Sequence, residues 1–149
     1  TYRYVLENNN KELVTLKEEL EALSSYTFLM KMRFGKGFKV NITIPTVEKY
    51  KIAPLTLQML LENAIKHNIA HERQVLQIDI KEEQGYLWIK NNIQLKSHQI
   101  ESTGIGLENI KSRYQYLIEK EVQILEDENY FTVAIPLIEQ KEMAMLSDV

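Results

Sequence analysis

Three polar side chains suited to binding a phosphate group lie within one short apolar segment. Asn63, Lys66 and His67 are three or four positions apart, so in a helix they share one face while leucine and isoleucine take the opposite side. An amide oxygen is a hard ligand suited to Mg²⁺, and a lysine beside it offsets phosphate charge. On periodicity alone, the same three residues could equally form the solvated end of a helix.

A second segment, residues 102–110, places two glycines directly before a predicted helix. Gly104 and Gly106 let the backbone approach a ligand closely, and the helix that follows presents free N–H groups and a positive dipole end. This arrangement favours an anion such as a triphosphate. Its spacing does not match a Walker loop, and it follows a polar stretch rather than a strand, which argues against a dinucleotide fingerprint.

Hydrophobic periodicity predicts the elements that position these two segments. Helices are predicted at residues 11–31, 53–68 and 107–118, and strands at residues 38–44, 75–80, 86–89, 122–125 and 130–135. The first helix has a narrow apolar stripe of the kind that packs on a partner helix, and Pro54 is expected in the first turn of the second. Strands joined as hairpins, with the helices on one face, predict a two-layer α/β sandwich with a mostly antiparallel sheet.

Composition limits the kind of protein this can be. The chain has 149 residues, 44% apolar residues and a net charge of -3, which fits one ordinary globular domain without a basic nucleic-acid footprint. It has no cysteine, so disulfides, thiol nucleophiles and thiolate metal sites are excluded. No apolar run approaches the roughly 20 residues that span a bilayer, so we expect any membrane attachment to lie outside this segment.

The two polar segments together resemble the N box and the G2 box of the Bergerat-fold ATPases of the GHKL superfamily. Residues 62–68 (ENAIKHN) and 103–114 (TGIGLENIKSRY) are similar in particular to the LytS-type (YehU-like) sensor histidine kinases. Residues 16–20 (LKEEL) resemble that family's segment before the ATPase core, and residues 131–137 (FTVAIPL) resemble its closing strand. The resemblance covers nearly the whole chain.

The resemblance implies a Bergerat fold preceded by an amphipathic helix, with ATP and Mg²⁺ as ligands. Asn63 would coordinate Mg²⁺ through the ATP phosphates, and Asn63 with Lys66 would be catalytic. Residues 94–103 would form a mobile lid over the nucleotide. The implied nucleotide-binding residues are Asn63, Lys66, His67, Asn91, Thr103, Gly104, Ile105, Gly106, Leu107 and Asn109.

The chain departs from the family pattern in two informative places. The family's aspartate that accepts the adenine amino group corresponds to Asn91, which can accept only through an uncharged amide oxygen, so adenine affinity is left open. The glutamate that some relatives use to activate a hydrolytic water corresponds to Met59, and Glu62 points about 100° away from Asn63 around the helix. Phosphoryl transfer to a partner side chain is therefore favoured over hydrolysis.

We therefore predict the catalytic domain of a sensor histidine kinase. The resemblance implies a phosphoaccepting histidine upstream of this chain, a homodimer, a response regulator of the LytTR type as partner, no direct nucleic-acid contact, and a cytoplasmic location in an inner-membrane protein. Residues 1–35 are expected to be the end of the dimerisation region and a coupling helix, 36–138 the ATPase domain, and 139–149 a loose tail.

The alternative is a degenerate interaction module that no longer binds nucleotide; an anti-sigma or serine kinase is a weaker one. His67 and His71 have the spacing of a pair of zinc ligands. The sequence offers no cysteine and no nearby histidine as the third protein ligand that a zinc site needs.

Overall fold

The computed structural model describes residues 13–96, 105–118 and 120–139. Three helices, α1 (Leu16–Phe34), α2 (Thr56–His67) and α3 (Ile105–Ile118), alternate with eight strands. The strands are β1 (Val14–Thr15), β2 (Phe38–Thr43), β3 (Tyr50–Ile52), β4 (Leu76–Glu83), β5 (Tyr86–Asn92), β6 (Gln123–Glu126), β7 (Tyr130–Pro136) and β8 (Ile138–Glu139). None of the helices in this described part is long and apolar enough to cross a membrane.

The main sheet has five strands in the order β2-β4-β5-β7-β6. Only the β2–β4 pair is parallel, and the other pairs are antiparallel. Alternate residues of the central strands face a core that also contains the buried residues of all three helices, so the helices cover one face of the sheet. The predicted two-layer sandwich, with a mixed and mostly antiparallel sheet, is confirmed.

The first helix begins later than its apolar periodicity suggested. The predicted start at residue 11 is wrong, because Thr15 is the N-cap of α1 and Leu13 lies outside the helix. The Thr15 hydroxyl accepts the Glu18 N–H at 3.1 Å, and the Glu18 carboxylate accepts the Thr15 N–H at 3.4 Å. This capping box fixes the boundary, while Val14 and Thr15 pair with β3 as strand β1.

The apolar stripe of α1 packs partly within this chain. Leu16 and Leu23 are buried in the same core as the sheet, and the later stripe residues Tyr26 and Met30 pack against it as well. The exposed apolar residues Phe28, Leu29 and Met32 lie on another face of the helix. The predicted stripe therefore packs on the core of this domain from Leu16 to Met30, and a partner helix for α1 stays a prediction. A three-stranded sheet, ordered β1-β3-β8, anchors the start of α1 to the domain.

The second helix also begins differently from the prediction. Pro54 precedes the helix rather than occupying its first turn, because Leu55 adopts a left-handed conformation with φ of 65° and α2 starts at Thr56. The short strand β3 precedes it, at residues where the sequence predicted no strand. Six residues along α2 are buried, namely Thr56, Leu57, Leu60, Leu61, Ala64 and Ile65. This burial fixes which face of α2 remains open.

Candidate functional site

A cavity of about 140 Å³ opens between the C-terminal half of α2 and the ends of β5 and β7. It is lined by Asn63, Ala64, His67, Asn68, Asn91, Ile93, Leu95, Glu126 and Phe131. Three of the predicted site residues, Asn63, His67 and Asn91, thus meet at one place although they come from different elements. The cavity is mostly apolar with a few convergent polar groups, which is the usual composition of a small-molecule site.

Asn63 and His67 lie at the cavity because the opposite side of α2 is buried in the core. Both side chains are half-buried, while Lys66 is exposed and does not line the cavity. Of the three residues predicted to share one face, Asn63 and His67 therefore line the cavity and Lys66 lies outside it. Lys66 remains within reach of a ligand only where that ligand extends beyond the cavity.

Asn91 lies deeper than the other predicted residues. It is 5% exposed, near the end of β5, and pairs with Phe131 of β7, which also lines the cavity. Its Nδ2 donates to the Asn92 carbonyl at 2.9 Å. Within the described residues no donor is bonded to its Oδ1, and an amide oxygen can accept a hydrogen bond from a ligand.

The surroundings of His67 favour the neutral form of its imidazole. Partial burial, together with the positive charges of Lys66 and Lys96, lowers the pKa of its imidazole below the usual value. A neutral imidazole can donate one hydrogen bond and accept another, so at this wall it can serve a ribose hydroxyl or a base edge without adding charge.

One side of the cavity is closed by a hydrogen-bonded clamp that the sequence did not reveal. Asn68 is 5% exposed; its Nδ2 donates to the Ala64 carbonyl at 2.9 Å and its Oδ1 accepts the Gln94 N–H at 2.7 Å. The Lys96 N–H donates to the His67 carbonyl at 3.2 Å. The asparagine at the end of the ENAIKHN segment is the signal that sequence reasoning could have used, since asparagine readily satisfies backbone groups at helix ends.

The glycine segment is described only from Ile105 onward. Thr103 and Gly104, and most of the predicted lid, lie outside the described residues. Gly106, the second residue of α3, lies close to α2, since a Cβ built on it would be 4.0 Å from the Met59 side chain. Leu107 packs against the core, and Asn109 is exposed. None of these three lines the cavity, so the structure places the start of α3 beside α2 but outside the cavity itself.

Metal-binding side chains do not cluster in the part of the chain described. No group of three or more histidine, aspartate or glutamate residues there could hold a metal ion. The Nδ1 of His71 accepts the Arg73 N–H at 3.1 Å within a local turn. A divalent ion at this site would therefore need ligand oxygens from the substrate in addition to an amide such as that of Asn63.

The architecture is that of histidine kinase catalytic domains. The cytoplasmic segment of histidine kinase QseC has a similar fold, with a TM-score of 0.59, 16% identity, and coverage of 85% of this chain and 77% of that chain. The catalytic domain of histidine kinase ThkA is similar with a TM-score of 0.55, 12% identity, and coverage of 83% and 94%. Identities this low establish the fold alone.

Sequence comparison finds similarity to sensor histidine kinases of the LytS type. A family model described as histidine kinase matches residues 1–38. The sensor histidine kinase/phosphatase LytS of Staphylococcus aureus is 32% identical over 82 residues, which are 53% of this chain and 14% of that protein. The predicted resemblance to LytS-type sensor histidine kinases is thereby confirmed, while the chain spans only a small part of the relative it matches.

Proposed function

We propose that this chain binds Mg²⁺·ATP and acts as the catalytic domain of a protein-histidine kinase, transferring the γ-phosphoryl group to a histidine outside the segment. The observation that carries the proposal is the cavity that joins Asn63 and His67 of α2 to the buried Asn91 of β5. The family resemblance suggests the reaction, and this cavity supplies a place for its substrate.

The residues present fit an adenine nucleotide. The cavity volume, about 140 Å³, is close to that of an apolar cavity of roughly 150 Å³ that admits one benzene ring, so a flat base could enter while the rest of the nucleotide stays outside. Ile93 and Phe131 offer apolar surface for the base, and the Asn91 Oδ1 offers an acceptor for its amino group. The phosphates would then extend towards Asn63, Lys66 and the start of α3.

Phosphoryl transfer requires little covalent chemistry from the protein, so binding and charge neutralisation are the main tasks. Asn63 would hold Mg²⁺, which offsets negative charge on the phosphates, and Lys66 would approach the phosphate oxygens from the exposed side of α2. The N-terminus of α3 would direct its free N–H groups at the same charges. The phosphoryl group would pass from a histidine to an aspartate of a response regulator, of the LytTR type by resemblance, in a dimeric membrane-anchored protein.

Titration calorimetry with a non-hydrolysable ATP analogue tests this proposal. The wild-type chain should bind the analogue with a Kd between about 1 μM and 1 mM in the presence of Mg²⁺, and Asn63→Ala should weaken binding at least about tenfold by removing the amide ligand. Asn41→Ala is the matched control, because Asn41 is a half-buried asparagine on β2 whose Nδ2 bonds Asp79 away from the cavity. Absence of binding by the wild type at millimolar nucleotide would instead leave the degenerate interaction module as the function.

Asn91→Asp tests the base end of the cavity separately. A carboxylate accepts a hydrogen bond from the adenine amino group more strongly than an amide does, so the variant should bind the ATP analogue about threefold to tenfold more tightly at pH 8. A GTP analogue is the control, because its base presents a carbonyl where adenine presents the amino group and should gain nothing. Equal changes for both nucleotides would contradict the assignment of Asn91 to the base.

A further inference from the structure

The helix that carries Asn63 and His67 has no N-cap of its own. Leu55 occupies the cap position with φ of 65° and has no side-chain acceptor to offer. The Thr56 hydroxyl is engaged as a donor to the Ala53 carbonyl at 2.7 Å. The first N–H groups of α2 must therefore find acceptors outside the helix, since these groups have no partner within it.

A carboxylate from a different helix fills this position. Glu19 of α1 is 1% exposed, and its Oε1 accepts the Leu55 N–H at 2.9 Å. A carboxylate at this end of α2 also lies favourably in the field of the helix dipole. Glu19 thus caps a helix that begins 37 residues later in the sequence, so α1 and α2 are joined by a polar contact as well as by the core.

Helix α3 holds the same turn from the other side. The Tyr114 hydroxyl, completely buried, accepts the Ala53 N–H at 3.1 Å. The Arg113 guanidinium donates to the Pro54 carbonyl at 3.4 Å. Residues 53–56 therefore form a junction, which we call the α2 entry turn, held between α1 and α3.

Capping α2 with Glu19 carries a free-energy cost, because the carboxyl group is removed from water. Its second oxygen, Oε2, is buried without a hydrogen-bond partner within the described residues. Desolvation accordingly raises the pKa of Glu19 to about 7, against the lowering effects of the Leu55 and Thr56 N–H groups and the Arg113 charge. Serine and aspartate cap helices from an extended backbone conformation, whereas Leu55 is left-handed, so the acceptor for this turn comes from another part of the chain. The long-range cap provides something that a local cap does not, namely a mechanical connection between two helices.

We propose that Glu19 is a positioning residue for the nucleotide cavity, because it ties the entry turn of α2 to α1 and so makes the placement of Asn63 and His67 depend on the position of α1. This rests on the proposed function only in taking a nucleotide as the ligand. Displacing α1 from the core would release the α2 entry turn, tilt the cavity wall and change affinity without altering any residue that lines the cavity.

Binding of the ATP analogue to two substitutions at this position tests the proposal. Glu19→Ala removes the acceptor and should weaken binding roughly 2- to 30-fold, the range of coupling between distant sites, under conditions where the variant is fully folded. Glu19→Gln keeps an acceptor oxygen and should restore affinity to within about twofold of the wild type. Glu82→Ala, which removes a partly buried carboxylate bonded to the Tyr50 hydroxyl, is the control and should bind normally.

A nucleotide-free measurement separates this inference from the proposed function. Hydrogen exchange at the Leu55 and Thr56 amides should accelerate in Glu19→Ala, and the His67 pKa, followed by NMR, should move towards its ordinary value as the far end of α2 shifts. Loss of a local cap alone would change the first turn and leave His67 as it was. Failure of the wild type to bind nucleotide would refute the kinase proposal, whereas unchanged His67 titration in Glu19→Ala would overturn the positioning role by itself.

Discussion

As the pH rises from 4.5 to 8, the Glu19→Gln variant is expected to become more stable than the wild type, until its free energy of unfolding is about 3 kcal/mol higher at pH 8. The pKa of Glu19 is about 7 in the folded protein and near 4.5 in the unfolded chain, so the folded state holds the proton more tightly. The stabilisation from this proton is complete below about pH 4.5 and is lost as the pH rises through 7. Glutamine carries no proton to lose, so the variant keeps its stability.

Urea unfolding, followed by the fluorescence of Trp88, the only tryptophan, measures this difference across the pH range. The groups that face the carboxyl are Arg113 and the Tyr114 hydroxyl of α3 and the N–H groups of Leu55 and Thr56 in the α2 entry turn. The comparison at pH 4 is an internal control, because both side chains are then neutral. Parallel stability curves for the two proteins would show that Glu19 is not desolvated as described.

Gly37→Ala is expected to destabilise the protein by about 3 kcal/mol. A Cβ on Gly37 would lie 2.7 Å from three backbone atoms of His71, closer than real Cβ contacts come. Backbone cannot rotate aside as a flexible side chain can, so either β2 or the turn after α2 must move. Because that turn follows directly on the cavity wall, the same substitution should also weaken nucleotide binding.

Gly35→Ala is the matched control for this effect. Gly35 has φ of 56°, which alanine adopts only with strain, yet no atom lies within 4 Å of the position that a Cβ would take there. With ψ of -127° the residue lies outside the left-handed helical region, so we expect a loss of about 1 to 3 kcal/mol from backbone strain alone. Gly35→Ala should keep the nucleotide affinity of the wild type, because a Cβ at this position meets no other atom. Equal losses of affinity in the two variants, measured by titration calorimetry, would mean that the close approach to His71 is not what weakens binding.

The sequence predicted those features that depend on local periodicity. The apolar face of α2 follows a 3.6-residue repeat, so the burial of Leu57, Leu61 and Ala64 and the opposite placement of Asn63 could be read directly. The hairpin strands β4 and β5 alternate and are bounded by turn residues. The helical repeat and the alternation along the strands were sufficient to predict the fold class.

Features that depend on contacts between distant residues were not predictable. Nothing in its neighbours distinguishes Glu19 from Glu18, yet Glu19 is buried against α2 whereas Glu18 forms a local capping box with Thr15. Strand β3 has three residues and exists only because β1 and β8 pair with it. The role of Asn68 depends on Gln94, 26 residues away. The positions of Thr103 and Gly104 remain predictions.

The small sheet also determines how this domain sits within a longer chain. Thr15 and Ile138 pair with Lys51 of β3 from opposite sides, so these two residues are two strand spacings apart, about 10 Å. Chain arriving at residue 13 and chain leaving at residue 139 therefore meet the domain at neighbouring points. Both connections therefore leave from the small sheet, and tension applied along the polypeptide would act on that sheet rather than on the cavity.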